Sequence, residues 1–252
     1  MSQVWHRPAA GVALAYAITP VQPGAYVNVP DGRCGLVFAD NEVWWLGPAT
    51  RPWIAERALD GVVGIRLHHL SGREFAQTSL DRWRDARVKL EQLPQHASDC
   101  VRLEETLQTD RSPQRQAATL AAYASLHAFS AGTDRLKGAA EMLSAATANE
   151  TVAGMAARLG ISTRHLHRRC LDIFGMPPTL LRRIARLHRT ASAWVSDPDV
   201  TMAELAAEAG FSDQAHLVRE MRALALSAPS QALAHSGRGV SDSFKTTRRL
   251  DT

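Results

Sequence analysis

Two short segments of the chain are rich in arginine, histidine and other polar side chains. Residues 161–169 read ISTRHLHRR, and residues 211–222 read FSDQAHLVREMR. Arginine donates two hydrogen bonds to guanine, glutamine pairs in the same way with adenine, and small aliphatic side chains contact the thymine methyl group. The chemistry that these residue types indicate is recognition of base edges.

Histidines and cysteines also raise the question of a metal site, and their spacing argues against one. His165 and His167 are two residues apart, so they point to different faces of a helix. His68 and His69 are neighbours on an expected strand, where adjacent side chains point to opposite faces. The three cysteines are far apart and form no CxxC pair: Cys34, Cys100 and Cys170. We therefore expect no metal ion, no disulfide framework and no cofactor.

Each polar segment lies in the second half of a longer repeat. Residues 151–178 read TVAGMAARLGISTRHLHRRCLDIFGMPP, and residues 201–229 read TMAELAAEAGFSDQAHLVREMRALALSAP. Both copies begin at a threonine, pass through an alanine-rich stretch, reach a glycine and a serine, and close at a proline. Glycine tolerates a left-handed turn, and threonine or serine caps a helix N-terminus. The repeat therefore predicts two helix-turn-helix units, a plan that places the second helix of each unit in the major groove of DNA.

The two copies differ in register by one residue. The glycine and serine positions are offset by fifty residues, but the leucine and arginine positions by fifty-one: Gly160 and Gly210, Ser162 and Ser212, Leu166 and Leu217, Arg168 and Arg219. We therefore predict that the second recognition helix carries one extra residue after a cap at Ser212.

A further helix is predicted between the two units. Residues 178–195 read PTLLRRIARLHRTASAWV, in which apolar residues recur at four-three-four-three spacing and so share one helix face. A helix of about seventeen residues would span roughly 25 Å. That length could hold two recognition helices near the roughly 34 Å that separates successive major grooves on one face of DNA.

Positive charge concentrates in the same region. The whole chain has a net charge of only +4, but residues 162–189 contain seven arginines and one acid, Asp172. The arginines are divided between the first recognition helix and the connecting helix: Arg164, Arg168 and Arg169, then Arg182, Arg183, Arg186 and Arg189. We expect this local excess of +6 to face an anionic polymer.

Residues 133–235 resemble the DNA-binding domain of the AraC/XylS family of bacterial transcription regulators. The resemblance is carried by AARLGISTRHLHRR and AAEAGFSDQAHLVREMR, with Pro229 and Ser230 after them. It implies two helix-turn-helix units that each read one major-groove segment of double-stranded DNA. The chain departs from the family pattern at two aromatic positions and one glycine position near the end of the second unit: Met221, Ala225 and Leu226.

The resemblance also assigns the residues that contact DNA. On the first recognition helix these are Arg164, His167 and Arg168, with His165 at the DNA backbone and Ser162 near a phosphate at the helix N-terminus. On the second recognition helix the matching surface contains five residues: Gln214, Ala215, His216, Val218 and Arg219. Ser212, like Ser162, lies at an expected helix N-terminus, where it can contact a phosphate. No catalytic residue is indicated, and we expect no enzymatic activity.

The chain is expected to have an α+β fold in four parts: a β-rich N-terminal module at 1–78, a helical connector at 79–131, the DNA-binding domain at 132–235 with its helix-turn-helix units at 151–175 and 201–225, and a flexible tail at 236–252. The first part consists of short β-branched and aromatic runs between proline and glycine turns. The second has helical periodicity. The tail is polar and lacks a core-forming period.

The role of the N-terminal module stays open at this level. The family resemblance implies a module that senses a ligand or forms a dimer. Trp44, Trp45 and Trp53 fit either a ligand pocket or an ordinary apolar core. The residues leave open whether there is a small-molecule effector, a homodimer or a contact with RNA polymerase. They also leave open the operator sequence and whether the protein activates or represses.

Two other functions compete with sequence-specific regulation. One is a DNA-delivered enzyme such as an alkyl-transfer repair protein, with Cys34 as its nucleophile, but no histidine or other base is recognisably paired with this cysteine. The other is a nonspecific architectural DNA binder. Nonspecific binding relies mainly on cations, so the modest net charge and the glutamine, histidine and aliphatic residues of the recognition helices argue against it.

Membrane association is not indicated by the sequence. No apolar run reaches the eighteen or so residues of a membrane span. The N-terminal segment MSQVWHRPAAGV lacks the basic-then-apolar layout of a secretory signal. The expected location is therefore the cytoplasm.

Overall fold

The structure is a computed structural model that describes residues 2–6, 9–18, 27–54, 58–128, 142, 150–197 and 200–225. Strands come first: β1 (Ser2–His6), β2 (Val12–Ile18), β3 (Val27–Asn28), β4 (Gly35–Ala39), β5 (Glu42–Leu46), β6 (Trp53–Ile54), β7 (Val62–Leu67) and β8 (Arg87–Lys89). The helices are α1 (Gly72–Ala76), α2 (Ala97–Thr109), α3 (Pro113–Ala128), α4 (Val152–Arg158), α5 (Thr163–Phe174), α6 (Pro178–Ser196), α7 (Met202–Glu208) and α8 (Gln214–Ala225). Short 3-10 helices lie at Leu80–Trp83 and Leu90–Gln92. This order confirms the expected α+β fold.

Six of the strands form one antiparallel sheet in the order β1-β2-β7-β4-β5-β8, and β3 pairs with β6 in a separate ribbon. A two-residue hairpin joins β4 to β5 at Asp40 and Asn41, which have φ angles of 52° and 65°. Two successive positive φ angles match the twist of paired strands, and aspartate and asparagine adopt them more readily than other non-glycine residues. The local sequence therefore sets the register of this pair.

The central strands of the sheet are buried on both faces. Every residue of β4 and β7 is buried, as are all but the last residue of β2. One face packs against α2 and α3. The other face carries a second apolar cluster that includes Leu14, Tyr16 and Val37. Burial on both sides explains why these strands read as continuous apolar runs and not as alternating patterns.

Residues 79–128, the described part of the expected helical connector, contribute to this core. β8 is the edge strand of the sheet and pairs with β5. Leu103 and Leu107 of α2 and Leu120 of α3 are buried in the same cluster as the sheet. An amphipathic pattern shows that one helix face is buried, but it does not show which element covers that face. We call the described residues from 2 to 128 the N-terminal unit.

The three neighbouring tryptophans do not share a surface. Trp45 is fully buried, and its ring stacks on that of Phe75 at a centroid distance of 5.2 Å. Trp44 and Trp53 are half-buried and pack against the apolar cluster on the opposite face of the sheet. Since alternate residues of a strand point to opposite faces, the sheet itself separates Trp44 from Trp45. A single pocket lined by all three tryptophans is therefore excluded.

The helices from α4 to α8 share one apolar core. Leu166 of the first unit and Leu217 of the second are both buried in it, together with Ile184 of α6. Leu180 and Trp194 of α6 are half-buried against the same core. The four-three-four-three pattern is confirmed as the buried face of one helix, which runs for 19 residues.

Several predictions concern residues outside the described ranges. These are the start of the DNA-binding domain near 132, the departure from the family pattern at Leu226, the closing Pro229 and the tail at 236–252. Met221, a second position of departure, is buried and contributes to the shared core. An aromatic residue is therefore not required there for a packed interior.

Candidate nucleic-acid interface

The turns of the two helix-turn-helix units have the same backbone hydrogen bonds. Gly160 and Gly210 have φ angles of 63° and 74°. In each unit the amide that follows the glycine donates to a carbonyl five residues earlier, that of Ala156 in one and Ala206 in the other. This glycine-centred helix end satisfies carbonyls that the helix itself leaves without partners. The repeat seen in the sequence is thus a repeat of backbone conformation.

Threonine caps begin both units, as the sequence predicts. The hydroxyl oxygen of Thr151 accepts a hydrogen bond from the amide of Gly154 at 3.0 Å. The hydroxyl of Thr201 accepts from the amide of Glu204 at 3.2 Å, and the Glu204 carboxylate accepts from the amide of Thr201 at 2.9 Å. This reciprocal pair fixes the start of the second unit.

The two recognition helices, α5 and α8, are capped by different residues. The hydroxyl oxygen of Ser162 accepts from the amide of His165 at 3.2 Å. In the second unit the carboxylate of Asp213 accepts from the amide of His216 at 2.6 Å, which corrects the prediction of a cap at Ser212. The extra residue therefore lies in the turn before the cap and not in the helix after it. Counted from Ser162 and Asp213, equivalent helix positions are all offset by fifty-one residues.

Ser212 and His216 support this cap. The Ser212 hydroxyl lies 3.0 Å from the Asp213 carboxylate and 3.1 Å from Nδ1 of His216. The imidazole ring packs edge-on against Phe211, with ring centroids 5.3 Å apart. Hydrogen bonds from the His216 amide and the Ser212 hydroxyl hold the pKa of Asp213 below its ordinary value. The two residues therefore order the turn that starts α8.

The first recognition helix presents a compact polar surface. Arg164, His167 and Arg168 are exposed and line an open groove of about 550 Å³. Leu166 faces the core, as predicted, and His165 is half-buried. The rest of the groove is formed by residues of α4, α5 and the start of α6: Val152, Thr163, Leu171, Pro177, Pro178 and Thr179.

The second recognition helix presents the matching surface with different residues. Gln214, Ala215 and Arg219 are exposed, and Val218 is half-buried. With the offset of fifty-one, Arg219 corresponds to Arg168, and Gln214 corresponds to Thr163. The sequence prediction aligned Ser212 with Ser162, so it did not place Thr163 on this surface. An alignment of Leu217 with Leu166 places Thr163 opposite Gln214. Thr179, at the start of the connecting helix, also lines the groove, and the repeat contains no equivalent residue from which to predict it.

The arginines of α6 pack against the protein. Arg183 pairs with Glu220 of α8, its Nε donating to Oε2 at 2.8 Å. The guanidinium of Arg186 lies 4.1 Å from the centroid of the Phe211 ring. The other two arginines of α6 are half-buried. This corrects the expectation that the whole local excess of positive charge faces an anionic polymer.

The C-terminal end of α5 is seated against the N-terminal unit. Nε of Arg73 donates to the carboxylate of Asp172 at 3.0 Å, and Nε of Arg84 donates to the carbonyl oxygen of Gly175 at 2.7 Å. Gly175 caps α5 with a φ of 67° and lies against Pro48, so a side chain would not fit there. The first recognition helix is therefore attached to both α6 and the N-terminal unit.

A buried polar cluster lies close to α6 in the N-terminal unit. Arg66 forms an ion pair with Asp31, and Nε of Arg33 donates to Nε2 of His69 at 3.2 Å. Burial alone would raise the pKa of Asp31, but the two arginines beside it lower it to about 2. The carboxylate is therefore ionised at neutral pH.

His188 of α6 joins this cluster to the DNA-binding helices. Its Nε2 lies 3.1 Å from the carbonyl oxygen of Pro30, to which it donates. Burial lowers the pKa of His188 to about 4, so the ring is neutral at pH 7. The connecting helix is thus fixed to the N-terminal unit by a neutral, half-buried donor.

Cys34, the nucleophile of the alternative enzymatic hypothesis, is only 2% exposed. Burial raises the pKa of its thiol well above the ordinary value. Because the thiolate is the reactive form, a buried and protonated thiol is inert. Cys34 therefore has the environment of a structural cysteine.

Within the described ranges, no three histidine, cysteine or acidic side chains are grouped so that they could hold a metal ion. Over the same residues, none of the helices is both long and apolar enough to cross a membrane.

The fold and the two exposed helix faces define a helix-turn-helix protein of the DNA-binding class. Residues 155–235 match a family described as a helix-turn-helix domain. A sequence search of curated proteins finds no match. The resemblance inferred from the two motifs is confirmed for this region, which carries a helix-turn-helix domain of the AraC type.

Solved structures of ToxT from Vibrio cholerae show a weak likeness over the whole chain. One at 1.65 Å resolution is 12% identical, with a TM-score of 0.44, and covers 93% of this chain and 98% of that chain. One bound to (E)-4-(8-methylnaphthalen-1-yl)but-3-enoic acid is 13% identical, with a TM-score of 0.44 and the same coverage of 93% and 98%. One bound to an unsaturated fatty acid is 13% identical, with a TM-score of 0.41, and covers 92% and 94%.

Proposed function

We propose that this protein regulates transcription by reading two successive major-groove segments of one operator, with α5 in the first segment and α8 in the second. The observation that carries the proposal is the repeated surface: each helix is capped at its start, buried along one face and exposed at equivalent positions on the other. Two exposed arginines, Arg168 and Arg219, occupy the same place in the repeat.

On α5 we assign base reading to Arg164, His167 and Arg168, which line one groove. Arginine in such a position donates two parallel hydrogen bonds to guanine. Thr163 and Thr179 lie on the walls of the groove, where hydroxyl groups at helix starts can donate to phosphate. Ser162 and His165 are then supporting residues, because the hydroxyl caps the helix and the imidazole is half-buried.

On α8 we assign base reading to Gln214, Ala215 and Arg219. Glutamine fits adenine, the alanine methyl group fits a thymine methyl group, and arginine fits guanine. Val218 adds an apolar contact at the edge of this surface. Ser212 and His216 order the turn and contribute indirectly.

The connecting helix sets the scale of the operator. At 19 residues, α6 is roughly 28 Å long. Successive major grooves on one face of DNA are roughly 34 Å apart, so helices attached along such a rod can enter neighbouring grooves. We therefore propose a bipartite operator with two short blocks about one helical turn apart.

The test is selection of bound sequences from a random duplex pool by the full-length protein at physiological salt. The expected result is enrichment of two blocks about one turn apart. Equal binding of selected and scrambled duplexes, with the same dependence on salt concentration, would show a nonspecific DNA binder instead. A single enriched block would show that only one of the two helices reads bases.

We further propose that the N-terminal unit controls the first helix-turn-helix unit. Support comes from the contacts that Arg73 and Arg84 make with the end of α5, and from the donor that His188 provides to Pro30. Any change in the N-terminal unit, such as ligand binding or dimerisation, would act on α5 and α6 through these contacts.

Regulation of the first unit by the N-terminal unit is tested by comparing the operator affinities of the Arg84→Gln and Arg102→Gln variants. Arg84 donates to the cap of α5, whereas Arg102 is exposed on α2 and loses the same charge when changed. We expect Arg84→Gln alone to change the affinity for the block read by α5. Equal affinities for the two variants would argue against control through this contact.

A further inference from the structure

Two arginines of α6 hold the second helix-turn-helix unit in place. The guanidinium of Arg183 forms a fork with Glu220 of α8, with Nε 2.8 Å from Oε2 and Nη2 3.1 Å from Oε1. A fork with two parallel hydrogen bonds fixes direction as well as distance. Glu220 follows Arg219 directly, so the fork is attached to the recognition helix next to a proposed base-reading residue.

The second attachment is made at the turn of the same unit. The guanidinium of Arg186 lies 4.1 Å from the centroid of the Phe211 ring, and its Nη1 donates to the carbonyl oxygen of Gly210 at 3.3 Å. A guanidinium over an aromatic ring is attracted to its face, and the hydrogen bond adds a fixed direction. Arg186 therefore binds the turn that precedes α8 through both a side chain and a backbone carbonyl.

The two contacts together define an orientation. One contact lies in the second turn of α8, and the other lies before the helix begins, so α8 can neither slide along α6 nor pivot about a single point without breaking one of them. The apolar contacts of α8 with the core, made by Leu217, Met221 and Leu224, are less directional than these two polar contacts.

We propose that Arg183 and Arg186 are positioning residues that set the spacing and helical phase between the two operator blocks. This inference rests on the proposed function, because it concerns how far apart the two recognition helices read. Adding one base pair between the blocks moves the second block by about 3.4 Å and turns it by about 34°. A recognition helix held at two points cannot follow that movement, whereas a helix released from one point can follow part of it.

The experiment measures dissociation constants for duplexes whose blocks are separated by the selected spacer, by one base pair less and by one base pair more. The full-length wild-type protein is expected to prefer the selected spacer by about tenfold or more. Arg183→Gln and Arg186→Gln are expected to reduce this preference by about threefold to tenfold, since each removes one directional contact. Affinity for a duplex that carries only the α5 block should stay within about twofold of wild type.

The charge-matched control is Arg102→Gln on the distant helix α2, which should leave the spacer preference unchanged. The exchanged pair Arg183→Glu with Glu220→Arg should restore much of the preference that either single change removes. Restoration would show that the contact itself is responsible and not the charge of α6.

An unchanged spacer preference in both Arg183→Gln and Arg186→Gln would overturn the proposal. If Arg183→Gln also abolishes binding to a duplex with only the α8 block, Arg183→Lys decides, because it keeps the charge but cannot form the fork. Loss of spacer preference in Arg183→Lys with α8-block binding retained supports the positioning role, and an unchanged preference overturns it. A wild-type protein that prefers no duplex sequence would instead refute the proposed function.

Discussion

The two helix-turn-helix units have the same local plan, but different parts of the protein hold them. The first unit lies between α6 and the N-terminal unit, with Asp172 and Gly175 in contact with Arg73 and Arg84. Among the described residues, the directional contacts to the second unit come from α6, through the fork at Glu220. A repeat in sequence therefore specifies two similar surfaces without specifying how each is supported.

This difference suggests a division of labour. Within the described part of the chain, contacts connect the N-terminal unit directly to the first recognition helix, and α6 connects it to the second. We therefore expect the first unit to respond to changes in the N-terminal unit, and the attachment of the second unit to α6 to set the spacing between the two operator blocks. The following predictions test how far this comparison holds.

The largest effect on stability is expected from replacing a buried leucine at the same position of either recognition helix. Leu166 and Leu217 are both 0% exposed, so replacing either with alanine should lower the free energy of unfolding by about 2–5 kcal/mol. In hydrogen exchange, Leu217→Ala should loosen α7 and α8 while α5 stays protected. Leu166→Ala should also loosen the residues of the N-terminal unit that contact α5.

The control for these substitutions is Leu126→Ala on α3, where the leucine is 83% exposed and its loss should change the free energy of unfolding by no more than about 0.5 kcal/mol. Equal loosening of α5 and α8 by Leu217→Ala would mean that the two units unfold together, and the comparison would fail.

A second large effect concerns pH and the N-terminal unit. His96 is fully buried, with its Nδ1 accepting from the hydroxyl of Tyr123 at 2.8 Å and its Nε2 donating to the carbonyl of Phe75 at 3.0 Å. Burial lowers the pKa of His96 to about 4. Between pH 6.5 and pH 4 the unfolded chain binds a proton at this residue that the folded chain does not. The folded state should therefore lose about 3 kcal/mol of stability as the pH falls through this range.

Urea unfolding monitored at pH 7 and at pH 4.5, for wild type and for His96→Gln, measures this effect. The variant should be less stable than wild type at pH 7, and the difference should shrink at pH 4.5. A difference that is the same at both pH values would show that His96 does not titrate between the folded and unfolded states.

A smaller effect is expected on DNA binding. Arg168→Ala and Arg219→Ala should each weaken binding to the selected operator by roughly 5- to 150-fold, because each removes one bidentate base contact. Each variant should also lose base preference in its own block only. Selection from a random pool with each variant provides the measurement, and loss of preference in both blocks from either change would contradict independent reading.

The smallest predicted effect concerns the residues that cap the N-termini of the two recognition helices. Asp213→Ala should accelerate hydrogen exchange in the first turn of α8 by about fivefold, as Ser162→Ala should in α5, because each removes the acceptor of an orphan amide. Ser212→Ala should have less effect, since its hydroxyl only supports the cap. Faster exchange from Ser212→Ala than from Asp213→Ala would restore Ser212 as the cap.

Features that depend on neighbours in the chain were determined by the sequence alone. The glycine turns at Gly160 and Gly210, the threonine caps and the apolar face of α6 involve residues within about five positions of one another, or a strict helical period. Such signals survive in any tertiary context. The register error at Ser212 arose because serine and aspartate can both cap a helix, and two candidates stood side by side.

Contacts between distant residues were decided only by the tertiary structure. Arg73 and Asp172 are 99 residues apart, and Arg183 and Glu220 are 37 apart. The sequence shows that these side chains are charged and that α2 and α3 are amphipathic, but charge and amphipathicity do not name a partner. Only the packed chain shows that α2 and α3 cover the sheet, and that the arginines of α6 hold the second unit in place. The physical reason is that hydrophobic burial and ion pairing depend on which surfaces meet, and not on the order of residues along the chain.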